Sequence, residues 1–107
     1  MITAFIIKAT GDYVLTEIER GYKATDEIVG GDSEYVSLTT KLSLCCDDMG
    51  KAHHLPVNEK ATQIMKAYLS MDDWIAGDAV VYSSDEGGDS CSLTEEQISE
   101  IEKIMEG

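Results

Sequence analysis

Basic residues and proline are scarce in this chain, and long apolar runs are absent. Eight lysine and arginine residues stand against 21 aspartates and glutamates, so the formal net charge is −13. Because polyanions repel a protein of this charge, direct binding to DNA, RNA or an anionic membrane is disfavoured. No apolar stretch approaches the roughly 18 residues that a membrane-spanning helix needs. We therefore expect a soluble protein.

Cysteine is too rare for a disulfide framework. The chain has three cysteines, of which Cys45 and Cys46 are adjacent and Cys91 is distant. Small secreted domains instead carry an even set of paired cysteines. Residues 1–8 also lack the positive segment and the cleavage site of a secretory signal. These features predict a reducing, cytoplasmic location.

What the chain does have is enough apolar residues for one core. It contains 107 residues, of which 43% are hydrophobic, too many for a disordered acidic tail. A domain of this size buries about two-thirds of its unfolded surface, which leaves no room for two independent cores. We predict a single domain over residues 1–107.

Alternating and helical spacings of apolar residues predict an α+β fold. The element order is β-β-α-β-β-α-β-α, with a mostly antiparallel sheet of about five strands and two or three helices. Residues 83–91 are predicted to form a polar loop. The predicted strands cover residues 2–8, 13–18, 34–39, 41–46 and 74–82, and the predicted helices cover 22–29, 59–69 and the segment after Ser92.

Helix boundaries are indicated by residues that favour caps. Gly30 can supply the positive φ that ends the first helix, and Asn58 is a good N-cap for the second. Ser92 followed by Glu95 has the spacing of a capping box for the last helix. Trp74, the only tryptophan, is predicted to anchor the core.

The negative charge is concentrated in the last third of the chain. Residues 1–71 carry a net charge of −3, whereas residues 72–107 carry −10, with Lys103 as the single base. Ten net charges correspond to about 17 Å of duplex DNA. This region is therefore a candidate for imitating a short DNA segment. A glutamate-rich helix face also serves ordinary solvation, so mimicry and solvation both stay open as interpretations. The candidate partner-binding residues are Asp72, Asp73, Asp78, Asp85, Glu86, Asp89, Glu95, Glu96, Glu100 and Glu102.

Cys45, Cys46, His53 and His54 are the residues to consider for a zinc site. Adjacent residues on a strand point to opposite faces, so neither pair is expected to aim at one metal ion. A cysteine nucleophile with a histidine base lacks a visible oxyanion feature. We therefore predict no metal, no cofactor and no enzymatic activity.

Five short motifs in a fixed order resemble a small family of uncharacterised phage- and plasmid-borne domains. The resemblance spans nearly the whole chain and implies an accessory protein of a mobile element, located in the host-cell cytoplasm. It implies no catalytic residue. The motifs are Val29-Gly30-Gly31, Gly50-Lys51, Leu55-Pro56-Val57-Asn58, Ile75-Ala76-Gly77-Asp78-Ala79-Val80 and Ser92-Leu93-Thr94.

Three classes of function are compatible with these features. The first is a non-enzymatic phage or mobile-element protein that binds a basic host protein, one that handles nucleic acid or serves in defence, by mimicking DNA. The second is a module that sequesters a small molecule or nucleotide messenger between residues 55–58 and the Gly30-Gly31 turn. The third is a structural component of a virion. The oligomeric state stays open.

Overall fold

Six strands and three helices form the fold, in a computed structural model that describes residues 1–107. The strands are β1 (Ile2–Ile7), β2 (Tyr13–Ile18), β3 (Ser33–Thr39), β4 (Leu42–Asp47), β5 (Ala79–Ser84) and β6 (Ser90–Cys91). The helices are α1 (Tyr22–Val29), α2 (Glu59–Leu69) and α3 (Glu95–Glu106).

All strand pairs are antiparallel, in the order β2-β1-β5-β4-β3, with β6 paired to the end of β5. The prediction of an α+β fold with an antiparallel sheet is confirmed. β5 lies at the centre of the sheet and is buried on both faces over most of its length. This burial explains why its sequence is a continuous apolar run rather than an alternating one.

Helices cover both faces of the sheet. The larger core lies between the sheet and the α2–α3 pair and includes Phe5, Leu44, Ile64, Val81 and Ile101. Neighbouring residues of the same strands point the other way, so Cys45 and Val80 belong to the smaller core, under α1. The prediction that Cys45 and Cys46 point to opposite faces is confirmed.

The segment before the central strand differs from its prediction. Strand β5 begins only at Ala79, because Gly77 has a φ of +84° that interrupts extended backbone. Ala76 instead forms an isolated bridge with Val57. The predicted core role of Trp74 is wrong, since its side chain is 48% exposed and Ile75 is the buried residue.

The predicted loop at residues 83–91 is also partly strand. β5 runs on to Ser84, and β6 returns beside it through Ser83↔Cys91 and Ser84↔Ser90 pairs. The sequence did not predict β6, the sixth strand, because a polar strand of two residues has no apolar alternation to detect.

Two of the three predicted caps are confirmed. Asn58 accepts a hydrogen bond from Ala61 N, and Gly30 ends α1 in the left-handed conformation. The capping box of α3 is formed by Thr94 and Gln97, two residues later than predicted. Ser92 does not cap the helix. Its Oγ instead accepts a hydrogen bond of 2.9 Å from Thr3 N in β1.

Candidate functional site

Seven of the ten candidate acidic residues lie on the β5–β6 turn and on α3. Ser84 N, at the end of β5, and the Gln97 side chain, in the first turn of α3, both donate hydrogen bonds to the carbonyl oxygen of Lys41. The turn and the start of the helix therefore lie at the same end of the sheet. We call the acidic stripe the set Asp85, Glu86, Asp89, Glu95, Glu96, Glu100 and Glu102.

The other three candidates lie elsewhere. Asp78 precedes β5, at the opposite end of that strand from the turn, and its Oδ1 accepts a hydrogen bond from Ala9 N at 3.0 Å. Asp73 forms an ion pair with Lys51, and Asp72 is its exposed neighbour. The structure thus separates Asp72, Asp73 and Asp78 from the acidic stripe.

No residue of the acidic stripe forms an ion pair. Within 4.0 Å, Lys51 pairs with Asp73 and His53 lies beside Asp47, and neither contact involves a residue of the stripe. Lys103 shares an exposed surface with Glu95 and Glu100 but forms no ion pair with either. No carboxylate of the stripe is therefore paired with a base at short range within the chain.

Two carboxylates of the stripe are held in position by hydrogen bonds. Asp85 Oδ1 accepts from Gly87 N at 2.9 Å and from Asp89 N at 3.0 Å, which fixes the β5–β6 turn. Glu100 accepts from the Tyr68 hydroxyl, so it is tied to α2. Burial and this glutamate together raise the pKa of Tyr68. The remaining five carboxylates of the stripe are available to a partner.

The cysteines and histidines do not converge on a metal. Burial raises the pKa of Cys45 to about 12, although the hydrogen bond with Tyr82 opposes the shift, and burial raises the pKa of Cys46 to about 11. The His53 side chain is exposed, and no group of three or more histidine, cysteine or acidic residues has metal-binding geometry. Both buried thiols stay protonated near neutral pH, which makes them poor nucleophiles.

A second feature, missed by the sequence analysis, is a groove beside Trp74. Lys51 Nζ lies 4.2 Å from the centre of the Trp74 ring and pairs with Asp73. The groove encloses a cavity of about 110 Å³. The only sequence signal for it was a tryptophan directly after two aspartates. We call it the Trp74 groove; its lining includes Glu34, Val36, Cys46, Asp47, Asp48, Lys51, Met65, Met71, Asp73, Trp74, Ile75 and Ala76.

The predicted small-molecule pocket is not matched by a cavity. No cavity is lined by both residues 55–58 and the Gly30-Gly31 turn. The 110 Å³ of the Trp74 groove is well below the roughly 300–1,000 Å³ typical of ligand pockets. A whole nucleotide therefore does not fit there without rearrangement.

Comparison with known families gives one match, over residues 2–106, to the family described as Domain of unknown function (DUF3846). The chain belongs to the DUF3846 family. The expectation of a family without an assigned function is thereby confirmed. No curated protein and no solved structure matches the chain.

Membership of DUF3846 transfers no catalytic or binding residue to this chain, because the family description names none. None of the helices in this DUF3846 domain is long and apolar enough to span a membrane. The acidic stripe and the Trp74 groove are thus the two surfaces of this domain from which a function can be argued.

Proposed function

We propose that this DUF3846 chain is a non-enzymatic phage or mobile-element protein that binds a basic host protein through the acidic stripe. The observation that carries the proposal is the lack of any ion pair within the stripe, in a chain of net charge −13. Small domains need a net charge of only about 2–8 in magnitude for solubility. An excess concentrated in the β5–β6 turn and α3 favours binding over simple solvation.

The average charge density along α3 is close to that of a nucleic-acid strand. α3 contains 12 residues, five of them glutamate. At about 1.5 Å per residue the helix is roughly 18 Å long, so it carries on average one glutamate per roughly 3.6 Å, although the individual intervals are unequal. A DNA strand carries one phosphate per roughly 3.4 Å. A cleft that neutralises phosphates with lysine and arginine therefore suits this helix.

The partner that fits this surface is a host protein that handles nucleic acid or takes part in defence. Opposite fields accelerate the encounter of such a pair and make the association rate fall as salt rises. The acidic stripe would then occupy the partner's nucleic-acid site in the host cytoplasm. Resemblance to domains of mobile elements supports this choice of partner.

Two variants of equal net charge test the proposal. The stripe variant carries Glu95→Gln, Glu96→Gln, Glu100→Gln and Glu102→Gln. The control variant carries Asp12→Asn, Glu17→Gln, Glu19→Gln and Glu27→Gln, at exposed positions outside the stripe. Each set removes four negative charges with little change in side-chain shape.

Immobilised wild type, stripe variant and control variant are incubated with host proteins that were first retained on a heparin column. We expect the wild type and the control variant to capture the same basic protein, and the stripe variant to lose it. Equal capture by the two variants would refute the proposal, because net charge and not the stripe would then determine binding. Mass spectrometry identifies the captured protein.

A further inference from the structure

The Trp74 groove already holds a cation. The ammonium group of Lys51 lies over the Trp74 ring and pairs with the Asp73 carboxylate. An aromatic face and a carboxylate around one position are the two groups that bind lysine and arginine side chains most effectively. Both charged side chains are about 40% exposed, so Lys51 can leave this position at little cost.

The shape and charge of the groove also suit a basic side chain. Val36, Met65 and Ile75 give it an apolar wall against which an aliphatic stem can pack. The acidic residues of its lining are Glu34, Asp47, Asp48 and Asp73, and Lys51 is its only base. The 110 Å³ cavity is smaller than the roughly 300–1,000 Å³ of typical ligand pockets, so it suits a single side chain better than a whole ligand.

The groove adjoins a free sheet edge. β3 ends the strand order, and no backbone hydrogen bond joins residues 34–39 to any element except β4. Glu34 and Val36, which line the groove, are alternate residues of this strand and lie on one face of the sheet. A register shift between Ser37 and Thr39 limits regular pairing to the first part of the strand.

We propose that an extended segment of a partner protein adds to the β3 edge and inserts one lysine or arginine side chain into the Trp74 groove. Added strands lie about 4.8 Å from their neighbour, with alternate side chains on the same face, so one side chain reaches the cavity beside Glu34 and Val36. The incoming cation takes the place of Lys51 between Asp73 and Trp74. This site lies apart from the acidic stripe and does not depend on it.

Trp74 reports directly on this binding, because it is the only tryptophan of the chain. The probes are two acetylated and amidated peptides, Ser-Val-Arg-Val-Thr-Val-Ser and the same sequence with norleucine in place of arginine. We expect the arginine peptide to change the Trp74 emission saturably and to bind at least tenfold more tightly than the norleucine peptide. An unchanged emission, or equal affinities for the two peptides, would overturn the proposal.

Matched lysine variants test the displacement step. Lys51→Ala vacates the position over Trp74 and should tighten arginine-peptide binding by about two- to fivefold, the value of one exposed cation–π contact. Lys23→Ala makes the same charge change on α1, on the other face of the sheet, and should alter affinity less than twofold. An equal gain in both variants would refute displacement.

Two further outcomes separate the groove from other modes of binding. The stripe variant should bind the peptide as the wild type does, whether or not the proposed function is correct. A large loss of affinity would instead show that the peptide binds to the stripe. A peptide N-methylated at alternate residues cannot complete a strand ladder and should bind at least tenfold more weakly. Undiminished binding of that peptide would contradict addition to β3.

Discussion

Asn58 Nδ2 donates a hydrogen bond of 2.8 Å to the carbonyl oxygen of Ile7, a residue 51 positions earlier in the chain. The same amide donates to Gly77 O at 2.9 Å, while Asn58 Oδ1 accepts from Ala61 N at 3.1 Å. A single buried side chain therefore joins β1, the start of α2 and the segment that leads into β5.

Replacing this asparagine tests its role as a connection between elements. Asn58→Ala should lower the free energy of unfolding by about 2–4 kcal/mol, because a cap is lost and two buried carbonyl groups lose their donor. Urea denaturation measures the change. Asn58→Asp retains the cap but turns a carboxylate oxygen toward the two carbonyl groups, so it should be at least as destabilising. A near-neutral Asn58→Asp variant would show that capping alone matters.

Local rules predicted Asn58 as an N-cap and placed the strands of the two hairpins that flank β5, because caps and alternation act within a few residues. The hydrogen bonds that Asn58 donates to Ile7 and Gly77 could not be predicted, since they depend on how distant segments pack. The exposure of Trp74 has the same origin: its neighbour Ile75 takes the buried position. Likewise, the Trp74 groove arises from side chains on β3, β4 and the segment before β5.

Gly50 illustrates a further limit of local rules. Glycine in a turn usually indicates a left-handed conformation, yet the structure gives Gly50 no positive φ. A Cβ at this position would lie 2.9 Å from the carbonyl oxygen of Ala76, a backbone atom that cannot easily move. Glycine is therefore required by a close approach of two segments rather than by its own conformation.

Two alanine substitutions test that explanation. Gly50→Ala should destabilise the protein by about 1–3 kcal/mol, the usual cost of an overpacked site. Gly87→Ala should change stability by less than about 0.5 kcal/mol, since its Cβ would meet only the Asp85 side chain at 3.4 Å. Thermal unfolding of both variants gives the comparison, and equal losses would contradict the proposed contact.

The buried thiol of Cys45 should make stability fall in alkaline solution. Its ordinary pKa is 9.0, and burial raises the pKa to about 12 in the folded protein. The unfolded chain therefore releases this proton first, and the free energy of unfolding drops between about pH 9 and 12, by up to about 1.4 kcal/mol per unit. Below about pH 9 the thiol contributes no pH dependence.

Urea denaturation across this pH range, in the wild type and in Cys45→Ala, measures the effect. The variant should show a shallower decline, because one of the groups that titrate differently is gone. Cys46, whose pKa is raised to about 11, accounts for part of the remaining slope. Identical slopes in the two proteins would contradict the assignment.

Two glutamates of α3 should respond differently to the same substitution. Glu96 lies in the first turn, where a negative charge interacts favourably with the helix dipole, whereas Glu102 lies outside both terminal turns and four residues before Glu106, whose like charge it repels. Glu96→Gln should destabilise by a few tenths of a kcal/mol, and Glu102→Gln should be neutral or stabilising by a similar amount. Differential scanning calorimetry at low salt resolves the sign. Losses at both positions would mean that other contacts dominate.

Displacement of DNA from the captured partner tests the central claim most directly. A labelled DNA duplex is bound to that partner, and its fluorescence anisotropy is followed as each protein is added. We predict that the wild type and the control variant release the duplex at similar concentrations, and that the stripe variant needs at least ten times more. Retention of the duplex in a ternary complex, or equal release by the two variants, would contradict binding of the acidic stripe in a nucleic-acid site.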